Sequence, residues 1–186
     1  MMEFQQLALN VLEELKNVFE KIKQEEIERF SESIINANRI FVIGAGREGL
    51  SSRAFAMRLM HLGKPTYWVW DDTTPYIGQG DLLIATSGSG KIISIQNVVR
   101  LAKVADASVA IVTGNPEADT AKMADVVLCL PAEVWGGGKD VVHSTQPMGS
   151  LFEQGLLILF DLIVITLMEK MGVTASDMAK RHRNVE

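Results

Sequence analysis

Residues 39–50 read RIFVIGAGREGL, and this stretch decides the fold. A near-continuous apolar run stops at a glycine turn, and a segment with helical spacing follows through LSSRAFAMRLMHL (50–62). Strand, glycine turn, helix is the opening of a parallel α/β unit. The helix is predicted to stop at Gly63 and Pro65, a usual termination signal. Working outward, TYWVW (66–70), DLLIAT (81–86), SVAIVTG (108–114) and ADVVLCL (124–130) are further short apolar runs, with a helix predicted over 92–105. Runs this uniformly apolar suit strands covered on both faces by helices. The alternation predicts five parallel strands in a three-layer α/β/α sandwich.

Before the first strand, residues 3–37 show helical spacing, with Leu7, Val11, Leu15, Val18 and Ile22 on one stripe and Ile27, Phe30 and Ile34 on the next. The first helix precedes any sheet, so its stripe is expected to pack on a neighbouring subunit. After the last strand, PAEVWGGGKDVVHSTQP (131–147) reads as a glycine-rich loop, followed by a long helix over 147–171 closed by Gly172. A short final helix starts at TASD (174–177), which has capping-box form. The expected organisation is a helical arm over 1–37, the sandwich over 38–172, and a C-terminal helix and tail over 173–186.

Bulk properties narrow the function. The 186 residues suit one domain, large enough to bury roughly 70% of the unfolded chain's surface without a metal or disulfide. A net charge of −5 argues against general nucleic-acid binding, which needs a basic face. Cys129 is the only cysteine, so a disulfide framework and a cysteine metal site are excluded; it reads as a buried strand residue. The N-terminus lacks a cationic lead, so no signal peptide is expected. The longest apolar stretch, 156–168, is too short to span a bilayer and contains Asp161. A soluble, cytoplasmic protein without membrane partners is expected.

Two glycine turns, GAGREG (44–49) and SGSG (87–90), are predicted at the carboxyl ends of strands, where open parallel sheets bind ligands. The stretch ATSGSGKI (85–92) is not a nucleotide P-loop: that pattern needs glycine at 85 and a hydroxyl at 92, and Ala85 and Ile92 stand there. GAGREG does match the dinucleotide fingerprint, with Asp71 and Asp72 at the spacing of a ribose-binding acid. Glu48 in the turn opposes a pyrophosphate, however, and SGSG would have no role. A single phosphate accounts for the second loop better: Ser87 and Ser89 offer hydroxyls, and the amides of 88–91 lead into a helix N-terminus. The blander alternative is a tight turn with an N-cap.

GAGREG with AFAMRLMHLG, SGSG, TGNPEA with KMADVVL, QPMGSLFEQ and the closing KRHRNVE closely resemble the 6-phospho-3-hexuloisomerases of the sugar-isomerase (SIS) superfamily, over about residues 5–186. The resemblance implies a flavodoxin-like sandwich with a five-stranded parallel sheet and a homotetramer without cofactor or metal. It implies the interconversion of 3-hexulose 6-phosphate and fructose 6-phosphate. By position, it implies that Ser87, Gly88, Ser89, Gly90, Lys91 and Ile92 bind the phosphate, with Arg47 and Glu48 beside the sugar. It makes Glu153 the proton acceptor and brings His182 to the site from a neighbouring subunit. His61 falls in a family motif and also reads as a packed helix-terminal histidine. A non-catalytic phosphosugar-binding module, or an isomerase for another phosphosugar, is the alternative.

Chemistry supports Glu153 independently. Moving a carbonyl between adjacent carbons needs a base to take a proton beside it and return it next door, and a dry carboxylate with a raised pKa can do both. Leu151, Phe152, Leu156 and Leu157 surround it in sequence. The competing reading is structural, because SLFE (150–153) fits a capping box. The family has serine where Glu48 stands, and glutamate and threonine where Lys91 and Ile92 stand. A coupled change is expected, with Lys91 pairing Glu48 or offsetting it at the phosphate, since close like charges cost ~4 kcal/mol at an effective dielectric near 20. Two solvated loop charges are the simpler alternative.

Overall fold

The computed structural model describes residues 3–135 and 138–185, so Gly136 and Gly137 of the expected glycine-rich loop lie outside the described residues. In chain order come α1 (Phe4–Glu20), α2 (Gln24–Asn36), β1 (Ile40–Gly44), α3 (Gly46–His61), β2 (Thr66–Trp68) and β3 (Leu82–Thr86). Then follow α4 (Ile93–Val104), β4 (Ser108–Thr113), α5 (Asp119–Lys122), β5 (Val126–Cys129), α6 (Ser150–Met171) and α7 (Ala175–Lys180). The five strands form one parallel sheet in the order β2-β1-β3-β4-β5. This is the flavodoxin-like order, and the direction in which successive strands are added reverses between β1 and β3.

Alternation along the strands sorts the core into two layers. Ile40, Val42, Leu82, Ile84, Ala110, Val112 and Leu128 face α2, α3 and α6. Phe41, Ile43, Leu83, Ala85, Val109 and Ile111 face α4 and α5. Both sides are covered, so the apolar strand runs and the predicted sandwich agree. Phe55 of α3 stacks on Phe160 of α6, with ring centroids 4.1 Å apart and planes 2° from parallel, and ties the helices of the first layer together. At the amino end of the sheet, Arg39 grips buried Asp81 with two hydrogen bonds of 2.9 and 2.7 Å, holding the Asp81 carboxyl below the usual range despite its burial.

The structure corrects several boundaries. The long helix begins at Ser150, not 147, because Met148 (φ 60°) and Gly149 (φ 78°) are left-handed and cannot continue a right-handed helix. It ends as expected at left-handed Gly172, and the Thr174–Asp177 capping box forms. Helix α5 is too short to have left a periodic signal. Cys129 is half-buried rather than buried, and its amide donates to the Glu26 carboxylate at 2.7 Å. Helix α6 has 22 residues and is long and apolar enough to cross a membrane by length and composition, contrary to the shorter stretch read from sequence. Half of its most apolar stretch is buried, where Leu151, Phe152, Leu156, Leu159, Phe160, Ile163 and Leu167 join the core of the first layer. The arm splits in two: Val18 is fully buried in the protomer's own core, while Phe4, Leu9 and Leu12 remain exposed.

Candidate active site

The register Gly44↔Thr86 between β1 and β3 sets the two glycine turns side by side at the sheet's carboxyl edge. Gly44 is required there. A Cβ on it would collide with Thr86 Oγ1 and lie 2.9 Å from Ser52 Oγ. Those two hydroxyls hydrogen-bond each other at 2.8 Å, and Ser52 also donates to the Glu48 carbonyl. The first turn is therefore clamped to β3. Asp71, one of the two acids spaced for a ribose, faces Arg53 at 3.6 Å and lines a different cavity, with Trp68 and Thr66.

The second turn is pinned through its carbonyls. Thr113 Oγ1 and the Gly114 amide donate to Gly88 O, Asn115 Nδ2 donates to Ser89 O, and Thr120 Oγ1 donates to Gly90 O at 2.7 Å. The Lys91 amide donates to Ser89 Oγ. Ser87 is fully buried, and its hydroxyl makes no hydrogen bond. Thr113, at the end of β4, Asn115 and Thr120 were not nominated from the sequence: the first two fall in the TGNPEA motif, but polar residues at or after a strand end carry no local signal for a contact with a loop 25–30 residues earlier.

A cavity of about 130 Å³ opens between these turns and the start of α6, lined by Glu48, Ser89, Ile92, Trp135, Phe152 and Glu153. Glu153 lies in its wall with 18% of its side chain exposed, and Arg47 Nε stands 3.0 Å from its Oε2. That contact is an ion pair without hydrogen-bond geometry, so Oε2 is buried without a hydrogen bond. The capping-box alternative for Glu153 is not realised: Gly149 precedes the helix and no side chain caps it. Leu151, Phe152 and Leu156 are buried beside Glu153, whereas Leu157 turns outward.

Glu48 behaves differently from either sequence reading. Its carboxylate accepts the Gly88 N–H with both oxygens, at 3.2 and 3.1 Å. Burial pushes its pKa up to about 7; the Gly88 amide opposes this and the charge of Glu153 adds to it. Lys91 and Gly90 line a neighbouring cavity of about 780 Å³ with Asn115 and Asp140, while Glu48 meets the Gly88 backbone amide.

His61 and His182 meet elsewhere. Their rings stack 5.2 Å apart in a separate cavity of about 570 Å³, with Arg53, Trp68 and Asp71. His61 is buried, and burial lowers its pKa, helped by His182 and Arg58. Within one protomer the structure thus brings together Arg47, Glu48, Ser89, Ile92 and Glu153, and sets both histidines apart from them. Among the described residues no group of three or more His, Cys, Asp or Glu side chains could hold a metal ion.

The sequence and the fold have counterparts among known proteins. The chain belongs to the SIS domain family, whose pattern matches residues 33–157. It is 38% identical over 185 residues to a 3-hexulose-6-phosphate isomerase of Bacillus subtilis, with both chains covered in full. It is 37% identical to a 3-hexulose-6-phosphate isomerase of Mycobacterium gastri, covering 95% of this chain and 88% of that one. A crystal structure of a hypothetical protein from Methanococcus jannaschii, for which that same isomerase function was inferred, superposes with a TM-score of 0.82 at 31% identity over the whole of both chains.

Proposed function

We infer that the protein is a sugar phosphate isomerase that interconverts 3-hexulose 6-phosphate and fructose 6-phosphate. Full-length similarity to 3-hexulose-6-phosphate isomerases supports the class. The observation that carries the reading is the position of Glu153, a largely buried carboxylate sharing one small cavity with the SGSG turn and contacted by Arg47. In the reaction, the phosphate rests on the amides of the SGSG turn, where the start of α4 adds a favourable dipole. Glu153 takes the proton from C2 of the 3-ketose as the C3 carbonyl oxygen gains one, giving an enediol between C2 and C3, and returns its proton to C3 as the C2 hydroxyl loses its own, leaving the carbonyl at C2. Arg47 steadies the carboxylate and the negative charge that develops on the enediol oxygens. His182 is delivered by a neighbouring subunit of a homotetramer. No cofactor enters this route.

The test is direct. Purified protein with fructose 6-phosphate and a formaldehyde-releasing hexulose-phosphate synthase should liberate formaldehyde in proportion to the isomerase added. Absence of release, with the synthase shown active on authentic 3-hexulose 6-phosphate, would remove this substrate pair.

A further inference from the structure

The backbone amide that should greet a phosphate is already taken by a side chain of the same protein. Gly88 N–H points at the Glu48 carboxylate, and both oxygens lie within 3.2 Å of it. The fit is close: a Cβ on Gly88 would sit 3.0 Å from Glu48 Oε1. Behind this amide the turn's carbonyls are anchored by Thr113, Asn115 and Thr120. The cavity beside it measures about 130 Å³, well below the roughly 300 Å³ at which ligand pockets begin. The fully buried Ser87 hydroxyl in the same turn makes no hydrogen bond.

We propose that Glu48 is an internal competitor for the phosphate seat, a carboxylate that holds the Gly88 amide in the empty enzyme and must leave it before a sugar phosphate can bind. This rests on the isomerase reading above and adds a selectivity element to it. A carboxylate presents the same two-oxygen edge to an amide as a phosphoryl group does. The two anions cannot share the seat, so the departing Glu48 takes a proton from solvent or turns out to water. The charged group acting on it is Glu153 on α6, with its partner Arg47, while Lys91 lines the neighbouring cavity. Glu153 favours protonation of Glu48, and its burial favours it more. Ligands too weak to displace the carboxylate are excluded, which selects for a doubly charged phosphate.

Calorimetric titration of fructose 6-phosphate into the wild type, Glu48→Gln and Glu48→Ser at pH 6, 7 and 8 tests this. If only the protonated fraction is competent, wild-type affinity falls about tenfold between pH 6 and 8 relative to both variants, most of it above pH 7, and nearly matches theirs at pH 6. The ratio between proteins cancels the ligand's own ionisation. Repeating the pH 8 titration in buffers of different ionisation enthalpy should show proton uptake by the wild type and none by Glu48→Ser. Equal affinities in all three proteins across the range would overturn the competitor role and leave the isomerase reading standing. Failure of all three to bind would overturn both. Glu48→Ser guards against a glutamine that keeps the old contact, and thermal melts confirm that each variant is folded.

Discussion

Arg47 and Glu48 stand on the first turn of α3 and His61 on its last, about 20 Å apart along the helix axis. Both ends carry family-like residues, but only the first assembles a site within the protomer. The N-terminal end leaves β1 directly, and the β1–β3 ladder sets it against the SGSG turn. The C-terminal end meets α7, a six-residue helix with no buried residue, through the His61–His182 stack and an Arg181 hydrogen bond to the His61 carbonyl. A sheet register holds the carboxylates in place, while a short surface helix holds the histidines. The contrast teaches that ladder geometry gathers residues from distant turns at one sheet edge, whereas the histidine pair is held in a separate cavity by the docking of the C-terminal segment.

The comparison breaks most sharply at Glu153. Glu153→Gln should lower isomerase turnover by ~10²–10⁴-fold while sugar phosphate still binds, measured by formaldehyde release and by calorimetry. A glutamine variant with near-normal turnover would take the carboxylate end out of the chemistry. Next comes the packing between the two ends. Phe160→Ala removes the ring stacked on Phe55 and should cost ~3–5 kcal/mol in urea unfolding, with loss of both sites' geometry.

Glu48 gives the third test. Its folded pKa, about 7, lies above the ordinary value of 4.5, so protonation favours the fold. That advantage is complete below pH 4.5 and fades as pH rises through 7. Relative to Glu48→Gln, the wild type should therefore lose up to about 3 kcal/mol between pH 4.5 and 7.5, read as a melting-temperature gap that opens with pH. A constant gap would mean that Glu48 does not titrate in this window. The smallest effect concerns the other end of α3. His182→Ala should reduce turnover by about tenfold through misplaced substrate, and mixing it with Glu153→Gln subunits should recover activity that neither has alone. Without recovery, the histidine pair stays a packing feature of its own cavity.

Reading the sequence recovered the sheet, all five strands and both glycine turns. Their signals are local: apolar runs of strand length, and glycines where a Cβ would strike the neighbouring strand, as at Gly44. The start of α6 was misplaced by three residues because Met148 adopts a left-handed conformation that residue type does not announce. Arg47 and Glu153 could be nominated from motifs 106 positions apart, yet their meeting at 3.0 Å follows from α3 packing on α6.

Sequence alone therefore determined the architecture and nominated the residues at the sheet's edge, because periodicity and turn chemistry act over a few residues at a time. Only the tertiary structure decided what Glu48 does. A charged residue in a turn looks alike whether it faces water, a lysine or an amide. The choice fell to the Gly88 N–H because the strand register brings that donor within reach and the buried setting leaves the carboxylate few other partners. Tertiary packing likewise set His61 against His182 in a cavity apart from Glu153, a pairing that depends on where α7 docks and that no spacing along the chain encodes.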